Sequence, residues 1–186
     1  MLKIFLSTFV LISFGLGKNS QLSATTFNLE LYNMTWIKHS DNFLKQGGGN
    51  ITKLATNHYS VNVWFEFEHD WARNSELRIM IRVKPQKSTK ILTFFDAKWN
   101  VCDALRTFKA APMVDYIYTE LKRKSNFLRS CPIKGNKFYW VRDFIITSDA
   151  FPSYTPYLSF NYSAMYYENK KLCVEHMVQG AIVPKN

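Results

Sequence analysis

Polar and apolar residues alternate with period two along much of this chain. From Tyr59 to Glu68 every odd position is apolar, and every even position is polar except Trp64. Successive side chains of a strand point to opposite faces, so this alternation predicts a strand with one buried face. Leu77 to Val83 repeats it, with Leu77, Ile79, Ile81 and Val83 inward and Arg78 and Arg82 outward. Leu158 to Tyr166 carries its apolar side chains on even positions, which turns Asn161 outward. Leu172 to Ile182 sets Leu172, Val174, His176 and Val178 on one face and Cys173, Glu175 and Gln179 on the other. Phe27 to Ile37 is also extended, but its alternation slips at Leu31-Tyr32, where a bulge is expected. Thr93 to Val101 reads as a further strand. Lys137 to Thr147 is apolar on both faces, as in a strand that is covered on both sides or lines a cavity rim.

One segment has helical spacing. Between Pro112 and Ser125, Met113, Ile117 and Leu121 recur at i, i+4 and i+8, and proline suits the first turn. The cations Lys122, Arg123 and Lys124 then complement the C-terminal end of the helix dipole. Gly47-Gly48-Gly49 lies between extended segments and reads as a loop. About seven strands and one short helix, without repeats or linkers, predict an all-β fold. Its expected form is two antiparallel sheets stacked as a sandwich or cup.

The N-terminus changes the setting. Lys3 followed by the apolar run Ile4 to Leu16 and the small residues around Gly17 reads as a secretory signal. The run is shorter than the ~20 residues a spanning helix needs. Cleavage after Gly17 leaves residues 18–186 as one mature domain, secreted and without a transmembrane segment. In an oxidising compartment the three cysteines, Cys102, Cys131 and Cys173, are expected to form one disulfide and leave one thiol over. Their spacing does not fit a zinc site. The sequons at Asn33, Asn50 and Asn161 become candidate glycosylation sites. The net charge of +10 is spread along the chain rather than gathered in one tract, and nucleic acid is not an expected partner.

No chemistry-bearing motif is present. His39, His58, His69 and His176 share no metal-ligand spacing, and no nucleophile elbow or phosphate-binding glycine loop occurs. His69-Asp70 reads as a turn and His176 as a core or pocket residue. The expectation is therefore a protein that is not an enzyme and takes no cofactor or metal. Aromatic residues make up 16% of the chain, including 15 Phe and 10 Tyr. By composition alone these rings read as core filling.

The segment from Asn100-Val101-Cys102 through Ser125-Asn126 to Cys131-Pro132 resembles a family of small secreted insect proteins that includes the CheA/CheB-type chemosensory proteins. That family is grouped with the ML, or lipid-recognition, fold of the ganglioside activators. The resemblance implies a Cys102–Cys131 disulfide that ties the helix to the sheet. It also implies a β-cup holding a small apolar ligand, lipid or pheromone-like, in chemosensation. Taken with the alternation, it puts Val63, Phe65, Phe67, Ile79, Ile81, Phe160, Tyr162, Tyr166, Val174 and Val178 on the ligand-facing side, with tyrosines at the rim. Ganglioside activators hold more disulfides than three cysteines can form, so their lipid extraction is not implied. The alternative reading is an extracellular interaction module or co-receptor, with a solid core and a cell-surface receptor as partner.

Overall fold

A computed structural model describes residues 26–103, 119–127, 131–151 and 154–185. The signal-peptide reading of residues 1–17 and the first part of the expected helix, 112–118, lie outside them. Eight strands are present among the described residues: β1 Phe27–Lys38, β2 Leu44–Ala55, β3 His58–Phe67, β4 Glu76–Pro85, β5 Leu92–Asn100, β6 Phe138–Thr147, β7 Leu158–Glu168 and β8 Lys171–Pro184. They form a five-stranded sheet in the order β1-β8-β7-β4-β5 and a three-stranded sheet in the order β2-β3-β6. All the pairings are antiparallel. The protein is thus an all-β, two-sheet sandwich.

Register fixes which side chains share a face, because slipping one residue would turn every side chain over. Across the five-stranded sheet, Trp36, His176, Ala164, Ile79 and Ala97 make one row. Met34, Val178, Tyr162, Ile81 and Phe95 make the next. Both rows face inward, except that Phe95 at the β5 edge is exposed. The expected bulge in β1 is there: Leu31 pairs with Gly180 and Asn33 with Gln179, so Tyr32 is the extra residue, and it is exposed.

Two expectations are corrected. Gly47-Gly48-Gly49 is not a loop but part of β2. Here β1 and β2 bring the two sheets together, and the missing side chains leave space for large neighbours. A Cβ on Gly47 would lie 3.2 Å from the Trp36 ring, one on Gly48 2.6 Å from the Trp64 ring, and one on Gly49 would collide with Met34 Sδ. The second correction is Cys173. Alternation turns it outward with Glu175, yet it is a buried free thiol in the core. Tyr166 pairs with Val174 and Tyr167 with Leu172, so Cys173 is the bulged residue, and the bulge lets it share the interior with Val174.

Cys102 and Cys131 are bonded, with Cα atoms 5.7 Å apart and 29 positions apart in sequence. Asn100 ends β5 and caps the turn that follows, its Oδ1 accepting from the backbone N–H groups of Cys102 (3.0 Å) and Asp103 (3.2 Å). Residues 119–124 are helical, so Lys122, Arg123 and Lys124 do fall in a last helical turn, where Arg123 pairs with Glu120 at 2.7 Å. Ser125 then bridges to Val141 of β6. The disulfide and this bridge hold the helical segment against one strand from each sheet.

Candidate functional site

The interior is divided. One packed cluster holds Phe43, Leu44, Phe65, Phe67, Trp71, Val101, Ile133, Tyr139, Cys173 and Val174. Its rings interlock: Phe65 and Phe67 lie 5.3 Å apart, Phe67 and Trp71 4.7 Å, Trp71 and Tyr166 5.5 Å, and Phe65 and Phe127 4.9 Å. A smaller cluster of Phe27, Leu29, Tyr59 and Ile182 closes the other end. The two inward rows described above run between them.

The residues expected to face a ligand divide in the same way. Phe65, Phe67 and Val174 are buried in the larger cluster and serve as core. Val63, Ile79, Ile81, Phe160, Tyr162, Tyr166 and Val178 each keep accessible surface. Among them, Ile81, Tyr162 and Val178 are aligned by register in a single row. Desolvation pushes the Tyr162 phenol up to about 12 and raises Tyr166 as well. Both phenols are desolvated while each ring keeps some accessible surface.

Four buried polar side-chain atoms have no hydrogen-bond partner among the described residues: Trp71 Nε1 and Ser75 Oγ, and Trp36 Nε1 and His176 Nε2, whose rings lie 4.7 Å apart in one inward row. Buried polar atoms are nearly always paired, because leaving one unpaired costs about 1–3 kcal/mol. Burial also pushes His176 down to about 4, so its imidazole is neutral at ordinary pH. His176 was legible as a core or pocket residue. Trp36 was not, because its inward orientation depends on the Tyr32 bulge resetting the phase of β1.

Two of the depressions formed by the described residues bear on the site. One of about 380 Å³ is lined by Thr26, Pro85, Gln86, Lys87 and residues 154–157, and it contains none of the expected ligand-facing residues. The other, of about 200 Å³, lies on the three-stranded sheet, lined by Asn62, Val63, Trp64, Phe138, Trp140, Val141 and Arg142. Sequence reasoning missed this second one. Its signal was Trp64, the single break in the alternation of β3.

All three sequon asparagines, Asn33, Asn50 and Asn161, are exposed. Asn33 and Asn161 both pair with Gln179 in register, so they share one outward row of the five-stranded sheet. Among the described residues no helix is long and apolar enough to cross a membrane, and no cluster of three or more His, Cys, Asp or Glu could hold a metal ion.

A family described as a protein of unknown function (DUF1091) matches residues 76–162. This stretch runs from the first residue of β4 to Tyr162 in β7 and includes both bonded cysteines. No curated protein matches the chain.

Proposed function

We propose that the chain is an exported, glycosylated carrier that holds a small apolar molecule between its sheets, in chemosensation, with a lipid or pheromone-like ligand. The observation that supports this reading best is the adjacent pair Trp36 Nε1 and His176 Nε2, both buried without a hydrogen-bond partner among the described residues, on the inner face at the margin of the larger packed cluster. An apolar chain would lie along Ile79, Ile81, Tyr162 and Val178, and one oxygen function would accept from the indole N–H. The chemistry favours an uncharged oxygen such as an alcohol, ketone or ester. A carboxylate would enter a site in which His176 is held neutral by burial, and an unpaired buried charge is costly. The chemosensory setting rests on the resemblance carried by Cys102, Ser125-Asn126 and Cys131-Pro132. Export rests on the N-terminal signal pattern, and the disulfide is compatible with it.

The test is native mass spectrometry of protein secreted by a eukaryotic host, followed by competition with a fluorescent fatty-acid probe. A co-purifying neutral lipid, and displacement of the probe by a long-chain ester or alcohol, are the expected results. Folded protein that carries nothing and binds neither probe nor ester ends the carrier reading.

A second reading, an extracellular interaction module or co-receptor, is favoured by one observation. β5 is an edge strand, and Leu92, Phe94 and Phe95 along it are exposed, as is Ile91 just before it. Unpaired edges with apolar side chains invite partners. Loss of receptor association on charging Phe94, in protein that binds no lipid, would move the assignment to this reading.

A further inference from the structure

We propose that the aromatic depression on the three-stranded sheet seats the first sugar of a glycan attached to Asn50 of the same sheet. Glycosylation of Asn50 itself rests on the reading above. The site is built row by row. Gly48, Trp64 and Trp140 are directly paired across β2, β3 and β6. Gly48 leaves the Trp64 ring free to lie over the β2 backbone, since a Cβ there would come within 2.6 Å of the indole. Trp64 remains 37% exposed in this position, and the guanidinium of Arg142 lies over Trp140 at 4.6 Å.

The next row fixes the sequon. Asn50 pairs with Asn62, one step along the same face from Gly48 and Trp64. Asn62 Oδ1 accepts from the backbone N–H of Asp143 (3.0 Å), and Asn62 Nδ2 donates to Asn50 Oδ1 (3.1 Å). That chain of hydrogen bonds orients the Asn50 amide. Its Nδ2, the atom a glycan is joined to, is left without a hydrogen-bond partner among the described residues. Diagonal neighbours on one sheet face lie roughly 7–8 Å apart, within the reach of a single pyranose ring.

The chemistry of the occupant fits. An N-acetylglucosamine ring has one face of C–H bonds, which carry partial positive charge. The face of an indole is negative, and the two stack. The acetamido group and hydroxyls at the ring edge would then meet Asn62 and Arg142, which line the same depression. Two tryptophans side by side on an outer strand face, an unusual place for such rings, gain a covering that the described residues do not supply.

The experiment uses full-length protein secreted by a eukaryotic host and trimmed enzymatically to one N-acetylglucosamine per site. Peptide mass mapping reports which of Asn33, Asn50 and Asn161 are modified, and NMR reports where each acetyl methyl lies. The expected result is an upfield ring-current shift of the Asn50-linked methyl relative to the other two, with cross-relaxation to Trp64 ring protons. Trp64→Ala should abolish the shift, and the cross-relaxation in wild-type protein tests the contact even if that variant fails to fold. Coincident methyl shifts without cross-relaxation overturn the inference while leaving glycosylation intact. An unmodified Asn50 beside modified Asn33 and Asn161 also overturns it, whereas absence of sugar at all three removes the glycosylation reading as well.

Discussion

His176 links burial, charge and site chemistry in one residue. Desolvation lowers its folded value to about 4, against about 6.5 in an unfolded chain. The neutral form is favoured in the fold, so the unfolded state binds the extra proton as pH falls. Stability is therefore intact above about 6.5 and is lost progressively as pH falls through about 4, by about 3 kcal/mol in all. Asp70, Glu66 and Asp96, held below their ordinary values chiefly by hydrogen bonds from Lys134, Lys45 and Arg78, act at more acid pH. The interval between pH 6.5 and 4.5 thus reports on His176. Urea midpoints of His176→Phe across that interval should be nearly flat where wild-type protein falls. An unchanged slope would place the titration elsewhere. A second residue-scale effect concerns Gly49. Its hypothetical Cβ lies 2.7 Å from the Asn62 carbonyl oxygen and collides with Met34 Sδ. The carbonyl is paired backbone and cannot swing away as a long side chain can. Gly49→Ala should cost about 1–3 kcal/mol, read as a shift of the denaturation midpoint without a change of slope.

At the scale of elements, the disulfide and the strand phases behave differently as sequence signals. Cys102 and Cys131 lie just beyond β5 and just before β6, and their bond closes a loop that contains the helical segment. Replacing both with serine should destabilise by roughly 3–4 kcal/mol through the unfolded chain's entropy. Chemical denaturation of wild-type and variant measures the difference, and non-reducing peptide mapping should find Cys173 in neither linkage. Period-two alternation made β3, β4, β7 and β8 legible, with Asn161 on its outward face, because each has one solvent-facing side. It failed wherever a residue was added to the count. The Cys173 bulge reverses the phase of β8 at that residue, and the Tyr32 bulge decides where Trp36 points. β2 escaped notice for another reason. Gly47, Gly48 and Gly49 have no side chains to alternate, and what makes them a strand is pairing with β3 and the bulk of Trp36, Met34 and Trp64 on either side. Those are tertiary facts. The same limit hid the second depression, since Trp64 and Trp140 meet only through the β3–β6 register.

At the scale of the whole molecule, the sign of an enlarging substitution in the middle inward row separates a ligand site from solid core. Ile81, Tyr162 and Val178 share one inward row and keep accessible surface, while Phe65, Phe67 and Val174 nearby are sealed. In a close-packed interior, adding a phenyl ring forces side chains off their rotamers and costs about 1–3 kcal/mol. In unfilled space the same ring finds dispersion partners and removes apolar surface from water, worth about 25 cal/mol per Å² buried. Val178→Phe should therefore be neutral or stabilising by urea denaturation, whereas Val174→Phe, in the sealed cluster, should be destabilising by the amount expected of overpacking. The same Val178→Phe protein should lose binding of a neutral long-chain ester, because ring and ligand compete for one volume. Trp36→Phe should weaken ester binding more than binding of the parent hydrocarbon, since only the ester uses the indole N–H. If Val178→Phe destabilises as Val174→Phe does, the middle row is solid core. The unpartnered nitrogens of Trp36 and His176, like that of Trp71, would then be the cost of packing aromatic rings between the sheets, and function would pass to the exposed edge of β5.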